Sequence, residues 1–508
     1  MPLLESLTIH AFNRLSDLWY YFGRSITPNP SSKQSLMLGI GSQPYHTKRK
    51  IPVVIMPKHR AKHIYAIGGT GVGKTKFLEN LIRQDILMGN GFGLIDCHGD
   101  LIKSTVKFIA SLIPDLSSVN DAEQALLKRL VILDPSYGNY TAGFNPLELT
   151  QGLEPYGQAL ELLGVFDKLW DFSSGPRMSE MLRNTMATLA ENGLTLLEVQ
   201  PLLTNDAFRE HAIQNLTNNE VRRYWLERFN PLSAAMKAQY NEPVLNKVGA
   251  FVTDPNIRAI IGQQKSTIKL RDIMDSGKVL LVNLAKGYLK ENSMLLGALL
   301  LAKIQMSAMS RADMPEDSRR PWYLYVDEFQ NFATDSFTEI LSEARKFGLS
   351  LVMANQNLSQ LPTTLRSSIK ANVGTQVVFR VSQDDAMEFA NEILPKQKER
   401  IASTITNQEI AHALVNIKGQ GPVEIRVPNV REPKSDRNIV DLIYQRSIKK
   451  YGRLKSDVEV DINNRRQVTG DTKQRNDHED NGDDASKSKP VKPTKAPFAP
   501  KGKFNEGK

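Results

Sequence analysis

Eight consecutive residues of the chain, GGTGVGKT, have the G-x-x-x-x-G-K-[ST] pattern of a phosphate-binding loop. The apolar segment HIYAI precedes the loop and the helical pattern KFLENLIRQDIL follows it, which is the strand–loop–helix context that such a loop requires. The nucleotide-binding residues predicted from this pattern are Gly68, Gly69, Thr70, Gly71, Val72, Gly73, Lys74 and Thr75. Lys74 is expected to contact the β- and γ-phosphates and the Thr75 hydroxyl to ligate magnesium, so ATP and Mg²⁺ are the predicted cofactors.

A pair of carboxylates ends a second apolar segment, WYLYVDEFQNF. Asp327 and Glu328 are expected at the carboxyl end of a buried strand, where open α/β sheets bind their ligands. Asp327 would complete the magnesium shell, and Glu328 would orient and deprotonate the attacking water. The alternative is a strand that ends in a solvated acidic turn. A third strand-like segment, GFGLIDCHGD, also ends in a carboxylate, and there His98 is interpreted as a hydrogen-bonding loop residue rather than a metal ligand.

Two cations, Arg345 and Lys346, lie at the junction of a predicted helix and a predicted strand in LSEARKFGLSLVMANQ. Apolar residues before them recur at helical spacing, Gly348 supplies a left-handed stop, and LSLVMA is typical of a buried strand. On residue types alone, the two cations complement the helix dipole and solvate the turn.

Seven short apolar runs alternate with helical stretches along the chain: HIYAI, GFGLID, RLVILD, KVLLVNL, WYLYVD, LSLVMA and TQVVFRV. Near-continuous apolar strands between helices are typical of a parallel sheet covered on both faces. The predicted fold class is therefore α/β with a mainly parallel sheet, an inserted all-helical domain and a disordered C-terminal tail.

Strand signals stop between about residues 147 and 261, where the sequence has helical periodicity throughout. The predicted divisions are an N-terminal amphipathic helix and linker (1–45), two parts of one ATPase domain (46–146 and 262–445), an inserted all-α domain (147–261) and a polar tail (446–508). The N-terminal helix is interpreted as docking on the protein itself, with a membrane anchor or a partner-binding helix as alternatives.

Composition narrows the class of protein. One cysteine in 508 residues excludes an internal disulfide framework and a thiolate zinc site. We see no segment with the length of a spanning helix and no signal peptide, so a cytoplasmic location is expected, with peripheral contact at the inner face of the cell membrane as an option. A formal net charge of +10 favours a polyanionic partner.

Several segments, in order, resemble the HerA/FtsK superfamily of ring-forming DNA motors, and most closely the TraD/TraG-type coupling proteins of conjugation and type IV secretion. They are HRAKHIYAIGGTGVGKT, GLIDCHGDL, GFNPLE, YLYVDEFQNFAT, LSEARKFGLSLVMANQNLSQL and NVGTQVVFRVSQDDA, between His59 and Pro428. Relatives often carry proline at the position of Cys97, and membrane-anchored coupling proteins carry N-terminal spanning helices that are not seen here.

This resemblance implies a RecA-like ATPase and changes the interpretation of the two cations. In the family, the arginine that matches Arg345 points across a subunit interface at the neighbour's γ-phosphate, and Gln356 matches a sensor position. The implied catalytic set is then Lys74, Glu328, Arg345 and Gln356, with Thr75 and Asp327 as metal ligands. The implied partners are DNA in the pore of a homo-hexamer and relaxase or secretion-channel proteins.

Two other functions remain open at the level of sequence. One is a HerA-type motor for DNA-end processing or phage defence. The lack of a recognisable spanning helix favours this function, whereas the lack of a recognisable N-terminal β-barrel argues against it. The other is a protein-cargo adaptor in which the ATPase only switches. DNA-stimulated ATP turnover would separate a motor from an adaptor.

Overall fold

The computed structural model describes residues 35–43, 46–113, 120–170, 175–289, 292–333 and 335–467. The strands are β1 Leu36–Gln43, β2 His46–Ile55, β3 Ile64–Ile67, β4 Gly91–Asp96, β5 Leu130–Leu133, β6 Tyr140–Ala142, β7 Val279–Asn283, β8 Trp322–Val326, β9 Leu349–Asn355, β10 Thr375–Val378, β11 His412–Ile417, β12 Gly421–Arg426 and β13 Gly452–Leu454.

The helices alternate with these strands and also fill the interval between β6 and β7. They are α1 Pro57–Arg60, α2 Lys74–Met88, α3 Asp100–Ser111, α4 Asp121–Arg129, α5 Pro155–Trp170, α6 Pro176–Glu191, α7 Val199–Thr204, α8 Asp206–Gln214, α9 Asn219–Arg223, α10 Ala234–Val252, α11 Pro255–Ile261, α12 Leu270–Asp275, α13 Lys286–Leu289, α14 Asn292–Met309, α15 Asp335–Glu343, α16 Thr363–Asn372, α17 Gln383–Ile393, α18 Lys398–Thr406, α19 Arg437–Tyr451 and α20 Lys455–Gln467.

One large sheet has the strand order β2-β1-β12-β11-β10-β3-β9-β8-β4-β7-β5. The seven strands from β10 to β5 are parallel, and they are the seven apolar runs of the sequence. Two hydrophobic clusters cover the two faces of the sheet. The predicted α/β class with a mainly parallel sheet is confirmed.

Four antiparallel strands extend one edge of the sheet, and the sequence interpretation missed them. Strand β11 pairs with β10, β12 with β11, β1 with β12 and β2 with β1. Strand β1 falls inside the segment 1–45 that we assigned to a helix and linker, so that boundary is wrong for residues 36–43. Strand β1 contributes Leu36 and Leu38 to the core. The predicted amphipathic helix lies outside the described residues.

Among the residues that the structure describes between β6 and β7, 143–170 and 175–278, the regular structure is all helical, and the helices are joined by turns and loops. Its buried side chains, such as Leu162, Met186 and Trp225, belong to the same hydrophobic cluster as one face of the sheet. The inserted helices and the sheet therefore share one core.

The boundary of the predicted disordered tail at residue 446 is also wrong. Residues 446–467 continue α19 and form β13 and α20. Val458 and Ile462, one turn apart on α20, are buried, and Glu459 pairs with Arg258 of α11 at 2.9 Å. Three apolar residues in an otherwise polar segment, of which Val458 and Ile462 are the buried ones, were too weak a signal to predict this packing. Residues 468–508 lie outside the described residues.

One helix in the described part of the chain, Asn292–Asp313, is long and apolar enough to cross a membrane by length and composition. Of its most apolar window, 83% is buried inside the protein. The Lys303 ammonium on this helix donates to the Glu148 carbonyl at 2.6 Å and to Thr150 Oγ1 at 2.7 Å. This pattern is that of a central core helix.

Candidate functional site

The phosphate loop connects β3 to α2, as the sequence pattern requires. Gly71 and Gly73 have φ of 76° and 116°, a backbone conformation that L side chains rarely adopt. A Cβ on Gly68 would lie 2.5 Å from the Phe379 Cβ, and one on Gly73 would lie 3.2 Å from the Ala411 Cα. The residues next to the ends of β10 and β11 therefore pack closely against the loop. A side chain at Gly68 or Gly73 would clash with them.

Lys74 is the first residue of α2 and is 6% exposed. Its ammonium donates to the carbonyls of Gly68 at 2.6 Å and Gly69 at 2.9 Å, so it folds back over the loop that it follows. Burial lowers the pKa of Lys74, while the charges of Glu328 and Asp327 act in the opposite direction. The cation therefore lies over the loop where phosphate oxygens would bind.

Thr75 and Asp327 come together from the two predicted motifs. The Thr75 hydroxyl donates to Asp327 Oδ2 at 3.4 Å, and Asp327 is 5% exposed at the end of β8. Burial raises the pKa of Asp327 to about 6, and the charges of Glu328 and Asp96 act in the same direction. A buried carboxylate beside a hydroxyl fits Mg²⁺, which prefers oxygen ligands and completes its shell with water and phosphate oxygens.

Glu328 has left-handed backbone angles, φ 50° and ψ 47°, which are uncommon for a residue with a side chain. Its amide donates to Asp327 Oδ1 at 3.0 Å, and its carboxylate accepts from Gln330 Nε2 at 2.7 Å and Gln356 Nε2 at 3.0 Å. Backbone strain of this kind concentrates at functional sites. Two amides thus orient the predicted base.

Gln356 connects this base to the phosphate loop. It follows β9, which lies between β3 and β8 in the sheet, and its Oε1 accepts from Thr70 Oγ1 at 3.3 Å. A hydrogen-bonded chain therefore runs from Thr70 through Gln356 to Glu328. This position allows the amide to respond to an occupant of the loop and to the state of the base.

Gln330 was not identified from the sequence. Its amide nitrogen holds Glu328, and its Oε1 is buried without a hydrogen-bond partner among the described residues. A glutamine two residues after an acidic pair is not a recognised pattern on its own. The positive φ of Glu328, which turns Gln330 back toward the carboxylate, is visible only in the structure.

Asp96 and His98 have no catalytic arrangement of their own. The Asp96 carboxylate accepts from the amides of His98 at 2.8 Å, Leu101 at 2.9 Å and Ile102 at 3.1 Å, so it holds the start of α3. His98 is exposed. Among the described residues, no group of three or more histidine, cysteine, aspartate or glutamate side chains is arranged to hold a metal ion.

Arg345 lies far from all of these residues in its own chain. It precedes the seven-residue strand β9, whereas the phosphate loop follows Ile67, the partner of Asn355 at the other end of β9. At about 3.3 Å per residue the two positions are about 20 Å apart. Arg345 is exposed and cannot reach the phosphate loop of its own subunit.

Comparisons with known proteins agree with this geometry. Residues 321–421 match the family model described as the TraM recognition site of TraD and TraG. They run from the residue before β8 to the first residue of β12 and include Asp327, Glu328, Arg345 and Gln356. A search by sequence against curated proteins finds no match.

The fold is similar to that of the bacterial conjugative coupling protein TrwBΔN70 in an unbound form, with a TM-score of 0.53 and 18% identity over 76% of this chain and 89% of that one. It is similar to TrwB in complex with ADP and Mg²⁺ (TM-score 0.52, 17% identity, 76% and 89% covered). TrwB with a non-hydrolysable ATP analogue gives a TM-score of 0.52 and 19% identity over 75% and 89%. The matched segment and the shared fold confirm the predicted resemblance to TraD/TraG-type coupling proteins.

Proposed function

We propose that this chain is an ATP-hydrolysing motor that forms a ring, translocates DNA and acts as the coupling protein of a conjugation or type IV secretion system. One observation carries the proposal. The buried residues for nucleotide binding and hydrolysis meet at the carboxyl ends of the parallel strands, and the exposed Arg345 lies at the opposite, amino end of β9. An active site divided in this way is completed when subunits pack head to tail, and such contacts close into rings.

The buried edge supports hydrolysis in the following way. Lys74 and the loop amides would hold the triphosphate, and Thr75 and Asp327 would hold Mg²⁺, which would supply positive charge to the phosphates. Glu328, oriented by Gln330 and Gln356, accepts a proton from a water as its oxygen bonds to the γ-phosphorus and the bond to the ADP oxygen breaks.

The exposed edge supplies the remaining positive charge. In a ring, Arg345 of one subunit contacts the γ-phosphate held by its neighbour, and its planar fork of donors matches phosphate oxygens. The charge that develops on the transferred phosphoryl group is fully stabilised when Arg345 of the neighbour adds to Lys74 and the metal. Turnover is thereby tied to assembly of the ring, which we propose is a homo-hexamer.

The proposed substrate of the motor is DNA, bound through its backbone in the pore, and the net charge of +10 favours such a polyanion. Relaxase and secretion-channel proteins are the proposed partners, because TrwB is described as a conjugative coupling protein and the matched family as a TraM recognition site. The proposed location is the cytoplasm, with peripheral contact at the inner face of the membrane.

DNA-stimulated ATPase activity tests this function. Purified protein should hydrolyse ATP with Mg²⁺, and DNA should raise the rate, with a stimulation that weakens as salt is increased. Lys74→Ala should abolish the activity. Turnover that DNA leaves unchanged, but that a cargo protein raises, would replace the motor with an ATP-switched adaptor.

A further inference from the structure

The turn that carries Arg345 is held by other arginines. It comprises residues 344–348, a single turn of 3₁₀ helix followed by Gly348, and we call it the finger turn. The Gly348 amide donates to the Arg345 carbonyl at 3.0 Å and closes the turn. Three carbonyls point outward from it, those of Lys346, Phe347 and Gly348, and each accepts a hydrogen bond from outside the turn.

Arg311 makes the central contact. It is fully buried, and its Nη1 donates to the Phe347 carbonyl at 2.8 Å while its Nη2 donates to the Arg320 carbonyl at 3.0 Å. Its Nε donates to Asp275 Oδ1 at 2.7 Å, which pairs the buried charge. One guanidinium thus joins the finger turn to the segment before β8 and to the end of α12.

Two further contacts complete the support. Arg319 donates to the Lys346 carbonyl, and the Trp322 amide at the start of β8 donates to the Gly348 carbonyl at 2.8 Å. Gly348 has φ of 74°, and a Cβ there would lie 3.0 Å from Arg311 Nη1. The glycine is therefore needed both for the left-handed turn and for the close approach of the Arg311 guanidinium.

The helix before the turn is fixed as well. His63, the residue before β3, donates from Nε2 to the Leu341 carbonyl of α15 at 3.2 Å and accepts from the Leu351 amide of β9 at 2.9 Å. The side chain of Arg345 is exposed, but the backbone that carries it is bonded to buried groups on both sides.

We infer that Arg311 is a positioning residue for hydrolysis in the neighbouring subunit: it sets where Arg345 is presented, and it has no part in the nucleotide site of its own subunit. The inference rests on the proposed function, because it requires Arg345 to act across the interface. An exposed arginine on a mobile turn would lose conformational entropy each time it engaged a phosphate. A turn held in one position by the buried Arg311 guanidinium and by Arg319 reduces that cost in advance.

The effect of removing Arg311 follows from this placement. A misplacement of about 1 Å at a catalytic group costs about a hundredfold in rate. Arg311→Gln should therefore lower kcat for DNA-stimulated ATP hydrolysis by about tenfold to a hundredfold, with unchanged nucleotide affinity. Arg271→Gln is the matched control, because Arg271 pairs with the same carboxylate of Asp275 at 2.8 Å and does not touch the finger turn.

Mixed rings distinguish positioning from a general loss of folding. When Arg311→Gln is mixed with Lys74→Ala in equal amounts, about one interface in four pairs an intact loop with an intact, supported finger, and activity should return. When Arg311→Gln is mixed with Arg345→Ala, every interface lacks a supported finger, and no activity should return. The opposite pattern would place Arg311 in the nucleotide site of its own subunit and overturn the inference.

A mixture of Arg345→Ala with Lys74→Ala is measured alongside. If this reference mixture regains activity and the Arg311→Gln mixture with Lys74→Ala does not, the inference fails while the proposed function stands. If the reference mixture regains no activity, Arg345 does not act across the interface and the proposed function is wrong. Should Arg311→Gln not fold, Arg319→Gln tests the same support from a less buried position, and it should give the same pattern of rescue.

Discussion

The two ends of β9 differ in the burial and hydrogen bonding of their charged side chains. At its carboxyl end, Lys74, Asp327 and Glu328 are each less than 10% exposed, and each side chain is hydrogen-bonded to the backbone or to a neighbouring polar side chain. At its amino end, Arg345 is exposed, and only the backbone beneath it is bonded to buried groups. In the proposed function, the buried end binds the nucleotide and the exposed end contacts the neighbouring subunit.

The difference follows from the cost of burying charge. Charges kept inside a subunit need local partners, since an unpaired buried charge is strongly destabilising. A charge that must enter a neighbour's site cannot have permanent partners, so its placement has to come from the main chain. If Arg345 acts across the interface as proposed, the sign of it in one subunit is an exposed side chain on a backbone whose carbonyls are hydrogen-bonded.

The largest expected effect is at the exposed end. Arg345→Ala should fold and bind ATP normally and lose about 10³–10⁵ of the turnover rate, the range found for fingers of this kind. Arg345→Lys should restore little, because lysine lacks the planar fork. Steady-state ATPase assays measure the turnover of the two variants, and nucleotide-binding assays serve as the control. A loss of less than tenfold would mean that Arg345 only complements the end of its helix.

The next effect is at the buried end. Glu328→Gln should lower turnover by about 10²–10⁴, the contribution of a general base, and leave Mg²⁺-ATP binding intact. His98→Ala, at the same edge of the sheet but exposed, is the control and should have normal turnover. If Glu328→Gln hydrolysed ATP at the normal rate, Glu328 would not be the base that activates the water.

A smaller effect is expected at Gln330, which the sequence did not identify. Gln330→Ala removes one of the two amides that orient Glu328, so turnover should fall by about tenfold and ATP affinity should stay constant. Single-turnover measurements separate the hydrolysis step from product release. A change confined to ATP affinity would show that Gln330 acts on binding instead of on the base.

Magnesium binding should depend on pH through Asp327. The carboxylate form binds the metal, and burial raises the pKa of this group to about 6. Protonation therefore competes with the metal as pH falls through 6, and Mg²⁺ affinity should drop by about tenfold between pH 7 and pH 5. Titration of Mg²⁺ in the presence of a fluorescent nucleotide measures the Mg²⁺ affinity at each pH. Asp327→Asn should abolish the dependence, whereas Asp100→Asn, at an exposed position, should retain it.

The smallest effect on activity is expected far from both ends. A chain that ends after Gln467 should keep its ATPase activity and melting temperature. A chain that ends after Leu454 loses the buried Val458 and Ile462, each contributing about 1.5–3 kcal/mol, and should melt at a lower temperature. Equal melting temperatures of the two chains would show that α20 adds no stability.

The residues that meet at the carboxyl end of β9 could be picked out from the sequence because phosphate-loop chemistry restricts residue types at fixed spacing. The glycines, Lys74 and Thr75 are determined by local geometry, and the parallel strands by apolar runs. Gln330 and Arg311 could not be found in this way, because their roles depend on the turn at Glu328 and on contacts between segments far apart in the chain. Strands β1, β2, β11 and β12 were missed because antiparallel strands have less continuous apolar patterns than buried parallel strands.

In the proposed ring, each active site is divided between two subunits, and rings mixed from two inactive variants test this division. Arg345→Ala and Lys74→Ala, each inactive alone, are combined in equal amounts under conditions in which rings exchange subunits. About one interface in four then joins an intact loop to an intact arginine, and we predict that ATPase activity returns to about a quarter of the normal value. A mixture as inactive as its components would contradict the account.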